Sequence, residues 1–158
     1  MNEKYFNLIL QKLKIKNFMM ISSKPFDSNI FFILIILLKS FDKIQDYDIA
    51  FLFIGSFINT IVKLIIQRDR PFKKYTEVKN FTNNNYDNIF AKYSFPSGHT
   101  FTATLFTLIL IKKFKNKLLY IIPFLVGISR IYLGVHYLSD VTLGALLSLF
   151  YFKTNYKN

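Results

Sequence analysis

Apolar residues in this chain come in blocks divided by clusters of charge, and that alternation leaves few folds open. Residues 29–38, 49–66, 97–111, 118–133 and 137–152 are each close to, or somewhat short of, the roughly 20 residues that cross a bilayer as a helix. Tilt and snorkelling side chains absorb such a shortfall. The block 49–66 is the clearest span, broken only by Lys63 near its end. The block 5–21 is different: Lys12, Lys14 and Lys16 interrupt it, as in a helix lying in the membrane interface, with a poor first crossing as the alternative. The pattern predicts an all-α, polytopic transmembrane helical bundle of five to six membrane helices, an N-terminal interfacial helix replacing the sixth crossing in the shorter version. The 158 residues accommodate a single domain, 1–158, without internal repeats.

Composition decides between two partners. A net charge of +12 suits nucleic acid as well as an anionic membrane surface. However, 52% of the residues are hydrophobic, 19 of them Phe, more apolar surface than a soluble domain of this size can hide. No nucleic-acid-binding motif is present, so nucleic acid is not expected as a partner. The chain has no cysteine, which excludes disulfides, thiolate catalysis and Cys-ligated zinc. The lysines of the first block and the lack of a small-residue cleavage site after it argue against a cleavable signal. The segment 67–93 is too polar to cross, with an asparagine-rich centre at 80–88. A polar stretch of that length is expected as a mobile loop at the mouth of a site, helping to choose what enters.

Charges inside apolar blocks are costly and mark function more often than structure. Lys63, Arg130 and Asp140 are such charges, and each taken alone has a plain alternative in snorkelling. Their neighbours make the case. Lys63 and Arg70 lie seven residues apart, two helical turns, and Pro71 is expected to stop that helix. Pro96, Ser97, Gly98 and His99 open the next block, where a helix N-terminus offers free N–H groups to an anion. Arg130 closes the following block, Gly134 breaks the chain, and His136 precedes Asp140 by four residues, so a helical Asp140 can orient the imidazole. The only two histidines of the chain both fall in these clusters. Three cations, a hydroxyl and a helix N-terminus suit a phosphoryl group, and an oriented histidine beside them supplies a nucleophile or base.

The ordered set Lys63-x6-Arg70-Pro71, Pro96-Ser97-Gly98-His99 and Ser129-Arg130-x5-His136-x3-Asp140 resembles the three-part signature of the type 2 phosphatidic acid phosphatases, whose site is shared with the vanadium haloperoxidases. The resemblance spans 63–140, about half the chain. It implies that His136 attacks phosphorus and becomes a phosphohistidine, with Asp140 holding its ring. It implies that His99 protonates the leaving oxygen and later activates water. Lys63, Arg70 and Arg130 then clamp the phosphate oxygens, helped by Ser97 and the Gly98 backbone. No metal and no cofactor are implied. The partners implied are a lipid phosphate and the bilayer, in a bacterial inner (cytoplasmic) membrane. Undecaprenyl pyrophosphate, phosphatidylglycerophosphate, phosphatidic acid and a lipid A phosphate all fit that description, as monoester or pyrophosphate. The short, lysine-rich N-terminal third departs from the six crossings common in the family.

Two rivals share the residues. A vanadate-dependent haloperoxidase is disfavoured, because those relatives are soluble and much larger. A non-enzymatic transporter or anion-binding membrane protein needs the cations but not both histidines and Asp140. Asp69 reads as a solvent-facing or cation-paired charge, Asp27, Asp42, Asp46 and Asp48 as solvated loop charges, Ser129 as structural, and Tyr132 and Tyr137 as packing or interfacial aromatics. Lys112, Lys113, Lys115 and Lys117 crowd the turn opposite the site, so the positive-inside rule puts the site on the extracytoplasmic face.

Overall fold

The apolar blocks fold as helices, and their ends are set by local chemistry. The computed structural model describes residues 3–82 and 84–156, and among these every regular element is helical. The first block splits into α1 (Lys4–Gln11) and α2 (Lys16–Ser23). A 3-10 turn, Lys24–Phe26, leads into α3 (Ser28–Ser40), which leaves at 56° to the segment before it. The longest helix, α4 (Asp46–Ile66), starts with a reciprocal cap in which the Gln45 N–H donates to Asp48 at 2.8 Å. Two short helices follow, α5 (Pro71–Lys74) and α6 (Ile89–Lys92). Ser97 caps α7 (Gly98–Phe114), a second 3-10 turn (Lys117–Tyr120) precedes α8 (Ile121–Tyr132), and α9 (Leu138–Asn155) ends the described chain.

The helix that carries the core is α7, packed against α4, α8 and α9. Its Ala103, Leu105 and Ile109 are fully buried, and Phe106 meets Phe31 edge-to-face with ring centroids 5.4 Å apart. Gly144 lets α9 press closely on the start of α7, since a Cβ there would stand 2.9 Å from the Ser97 carbonyl. The Ser97 N–H then donates to the Asp140 carbonyl at 3.0 Å, joining two helix starts. Outside the core the apolar residues point away from the protein: Ile54, Phe57 and Ile65 on α4, Leu118, and Phe150 on α9 are all more than half exposed. An apolar exterior of that extent marks a surface meant for a partner or a membrane.

Among the described residues one run passes as a crossing by length and composition, Asp46–Lys74, which is α4 continued through α5, with a mean hydropathy of 2.2, and the bent pair through α2 and α3 passes as a second. The five to six separate spans expected from the sequence are not met on that measure. The reason is chemical. Helices of 17, 12 and 18 residues (α7, α8 and α9) give over positions such as Thr100, Thr104, Arg130, Asp140 and Ser148 to buried polar groups.

The helices sort the site to one end. Asp48, at the start of α4, pairs with Lys113 near the end of α7 at 2.7 Å and accepts from the Tyr156 hydroxyl. That fixes the far end of the bundle and corrects the reading of Asp48 as a solvated charge: it is 2% exposed. The end of α4, the start of α7, the end of α8 and the start of α9 gather at the near end.

Candidate active site

Each part of the three-part motif occupies a junction rather than a helix middle. Lys63, in the last turn of α4, donates to the carbonyls of Tyr93 and Pro96 at 3.0 and 2.9 Å. Those two acceptors sit immediately before α7, so the lysine ties the first motif to the second. Arg70 departs from expectation. The α4 helix stops at Ile66, Gln67 takes a left-handed conformation (φ 50°), and Pro71 begins a helix instead of ending one. Proline at the first helical position loses no hydrogen bond, which is why it starts α5. Arg70 is thus an extended cap residue on a separate element, and it reaches the site by another route. Its guanidinium donates to the carbonyls of Ala91 at 2.6 and 3.1 Å and Val135 at 2.8 Å, and its Nη1 lies 3.3 Å from His136 Nε2.

The second motif behaves as expected locally. Ser97 is fully buried and its Oγ caps α7, accepting from the Thr100 N–H at 3.4 Å. Gly98 and His99 form the first turn, and a Cβ at Gly98 would come no nearer than 3.7 Å to another residue. The third motif wraps the turn between α8 and α9. Gly134 sits there at φ +76°, where a side chain would strike the Lys79 carbonyl. His136 is 2% exposed, and its Nδ1 lies 3.5 Å from Asp140 Oδ2, within ion-pair reach but long for a hydrogen bond. Asp140 is already engaged: Oδ2 accepts the Tyr137 N–H at 2.9 Å and Oδ1 accepts Arg68 at 2.7 Å. Burial, then the charges of Arg70, Lys63 and Arg130, hold the His136 imidazole well below its ordinary pKa of 6.5. A neutral imidazole can keep a lone pair on the Nε2 that faces the guanidinium.

These residues converge on one cavity of about 1430 Å³. Lys63, Arg70, Gly98, His99, Arg130 and His136 line it; Ser97 and Asp140 stand behind this wall and are not part of it. Arg130 donates to Ser23 and Tyr86 at 3.3 and 2.8 Å, and its buried Nε has no partner. The opposite wall is apolar, with Phe26, Phe31, Phe32, Ile35, Leu52 and Phe53. Among the described residues no three His, Asp or Glu side chains gather as metal ligands.

Several participants were invisible in the sequence. Tyr86 belongs to the asparagine-rich stretch, of which Asn83 lies outside the described residues. Asn80, Asn84 and Asn88 each accept a backbone N–H two residues on, at 2.8 to 2.9 Å, which folds the stretch into successive Asx turns. The turns deliver Tyr86, 7% exposed, to the cavity, where the Arg70 guanidinium stacks 3.8 Å from its ring centre and its hydroxyl accepts from Arg130. One tyrosine therefore organises two cations. The loop lies at the cavity, with Thr82, Asn84, Asn85 and Asn88 in its lining. Arg68 is a second omission: besides Asp140 it pairs with Glu3 at 2.5 Å, and Glu3 accepts the Ser139 N–H at 2.9 Å. Third, α1 presents Glu3, Asn7 and Gln11 at four-residue spacing along one face. Asn7, fully buried, donates to the carbonyls of Ile131 and His136 at 2.7 and 3.1 Å, and Gln11 donates to those of Lys79 and Tyr132. The N-terminal helix is a strap over the His136 turn. A polar residue every fourth position of an otherwise apolar helix was the available signal. Finally, Asp27 is not a free surface charge, because His99 Nε2 lies 2.8 Å from its Oδ1.

Among the described residues the chain is an all-helical bundle with an apolar exterior, and its cavity, ringed by buried cations and two histidines, is chemically suited to a phosphoryl group. Comparison with known proteins agrees, and the chain belongs to the PAP2 superfamily, matching it over residues 49–157. It is 34% identical to the Bacitracin transport permease protein BcrC of Bacillus licheniformis, over 65% of this chain and 49% of that protein. It is 40% identical to Phosphatidylglycerophosphatase B of Bacillus subtilis (strain 168), over 39% of this chain and 37% of that one. The matches thus span about half, or less, of the length of these curated relatives. Its fold resembles the crystal structure of the transmembrane PAP2 type phosphatidylglycerolphosphate phosphatase from Bacillus subtilis, with a TM-score of 0.73 and 24% identity, over 99% of this chain and 86% of that one. It also resembles Aquifex aeolicus LpxE, with a TM-score of 0.67 and 24% identity, over 93% and 89% of the two chains.

Proposed function

We propose that the protein is a membrane lipid phosphatase that hydrolyses a phosphate monoester or pyrophosphate on a lipid headgroup through a phosphohistidine. One observation carries the reading: a single cavity joins a cationic, histidine-bearing end to a phenylalanine-lined wall, which suits a headgroup phosphate with its hydrocarbon tail attached. Lys63, Arg70 and Arg130, with the Arg130 Nε unpaired, hold the phosphate oxygens and the Gly98 N–H completes the cradle, while Ser97, behind the wall, caps the helix that presents it. His136 Nε2 gives its lone pair to phosphorus while the bond to the lipid oxygen breaks. His99 gives that oxygen its proton, so the lipid leaves as an alcohol or, from a pyrophosphate, as a monophosphate. A water molecule then attacks phosphorus, returns a proton to His99, and the P–N bond breaks to release phosphate. Asp140 accepts the Nδ1–H of His136 while the ring carries positive charge, and the 3.5 Å separation closes as that charge develops.

Cations stand where a two-metal phosphatase would place carboxylates, so the chemistry needs no metal. Purified protein in detergent is therefore expected to release phosphate from lipid substrates in the presence of chelator, and vanadate is expected to inhibit by occupying the phosphoryl position. Loss of activity in chelator with recovery in Mg²⁺ overturns the metal-free mechanism. No phosphate release from any of undecaprenyl pyrophosphate, phosphatidylglycerophosphate, phosphatidic acid and a lipid A phosphate favours the anion-binding alternative. Relative turnover on those four identifies the substrate.

The path of the chain supports five crossings, with α1 on the site-side surface and α2–α3 crossing as one bent segment, followed by α4, α7, α8 and α9. Lys112, Lys113, Lys115 and Lys117 then mark the cytoplasmic end, and the cavity opens on the other face of a bacterial inner membrane. A reporter fused after Lys117 is expected to read cytoplasmic; an extracytoplasmic signal reverses the orientation.

A further inference from the structure

Asp27 stands where an apolar segment breaks. The run through α2 and α3 bends by 56° there, and irregular backbone in such a segment is tolerated only where it is buried in protein or lines a cavity. Asp27 is the N-cap of α3, in an extended conformation (φ −67°, ψ 137°). Aspartate is favoured at that position because its carboxylate accepts an otherwise unpaired N–H of the first turn. Asp27 makes no such bond. Its Oδ1 instead meets His99 Nε2 at 2.8 Å, 72 residues further along the chain, and both side chains line the cavity. The carboxylate is turned from its local task toward the histidine.

His99 needs that carboxylate. It sits in the first turn of α7, where the helix dipole disfavours a cation, and Arg130 and Arg70 both face it. His136 faces it as well, neutral before reaction. Arg130 and Lys24 in turn face Asp27. A proton donor in such surroundings requires a counter-charge to exist as imidazolium at all.

We infer that Asp27 is the positioning residue of the leaving-group acid: it holds His99 Nε2–H throughout the cycle, so that Nδ1 is the nitrogen that gives its proton to the lipid oxygen and recovers it from water. The inference rests on the phosphatase reading above. Nδ1–H is consumed as the P–O bond to the lipid breaks and restored as water bonds to phosphorus, while Nε2–H never leaves Asp27.

The test compares Asp27→Asn, Asp27→Ser and Asp27→Glu as full-length protein in detergent, on phosphatidic acid, whose alkoxide needs protonation to leave, and on p-nitrophenyl phosphate, whose phenolate does not. Asp27→Asn is expected to lose roughly 10- to 100-fold in kcat on the lipid and less than about 3-fold on the aryl ester, with KM and vanadate inhibition unchanged. Asp27→Ser, which keeps a good helix cap, is expected to fail in the same way, and Asp27→Glu to recover part of the rate. Equal losses on both substrates, weakened vanadate inhibition, or full activity in Asp27→Asn overturns the inference. Full activity in Asp27→Ser overturns it too, because a cap alone then suffices. Where wild-type protein does not hydrolyse phosphatidic acid, the lipid arm uses whichever of the four lipids it does hydrolyse; wild-type protein that hydrolyses none of them and no p-nitrophenyl phosphate, or a His136→Ala variant that stays active, sinks the underlying phosphatase reading instead.

Discussion

His136→Ala is expected to abolish turnover, with a loss of roughly 10⁴- to 10⁶-fold, and to leave no alkali-stable, acid-labile labelled phosphoenzyme above background. The size follows from the role, since the other imidazole of the cavity, His99, is paired with Asp27 and serves as the proton donor. His99→Ala is expected to lose about 10²- to 10⁴-fold on an alkyl phosphate and far less on an aryl one, because it removes a proton donor and leaves the nucleophile in place. The His136 ring fills a buried site and touches Arg70, so the alanine variant also loosens that contact. Vanadate binding separates the two losses: the clamp residues remain, and weak inhibition should persist. The decisive measurement is trapping of the labelled enzyme by an alkaline denaturing quench in both variants. Phosphohistidine that persists in His136→Ala moves the nucleophile to His99.

Arg68→Gln is expected to destabilise the protein by about 3 kcal/mol and to slow turnover while leaving KM nearly unchanged. Asp140 is completely buried, and Arg68 is the cation that pairs with it, at 2.7 Å. Removing one partner leaves a charge in a medium that cannot solvate it, which costs far more than the pair itself contributes. The arginine side chain is 29% exposed, which keeps the figure at the low end of the range for buried pairs. Thermal unfolding followed by circular dichroism should fall by on the order of 10 °C. The coupling is testable. In an Asp140→Asn background the carboxylate is gone, and the Arg68→Gln effect should shrink to a small residue; an undiminished effect means that Arg68 acts through Glu3 or Tyr137 and not through Asp140. Arg68 was overlooked because its worth lies in a partner 72 residues away, whereas Lys63 and Arg70 announced themselves by spacing alone.

That contrast runs through the whole molecule. Blocks of apolar residues became helices because helix formation answers to near neighbours, and the caps at Gln45, Ser97 and Tyr137 sit where the local sequence asks for them. Local preference also corrected one expectation: proline after an extended residue starts a helix, so Pro71 opens α5. The motif was legible for the same reason. His136 and Asp140, or Ser97 and His99, are fixed relative to each other by a single turn of backbone.

What the sequence by itself determined, then, is the helical class and the family motif, with the eight candidate site residues inside it, since each part depends on spacings of a few residues that any helix or turn enforces. Tertiary structure alone decided the rest. Asp27 reaches His99, Tyr86 reaches Arg130, Asn7 reaches the His136 carbonyl and Arg68 reaches Asp140 across 44 to 129 residues of chain. Such pairs leave no periodic trace, because a buried polar group takes whichever complementary partner the packing of distant helices brings within hydrogen-bonding distance, and that packing is a property of the whole bundle.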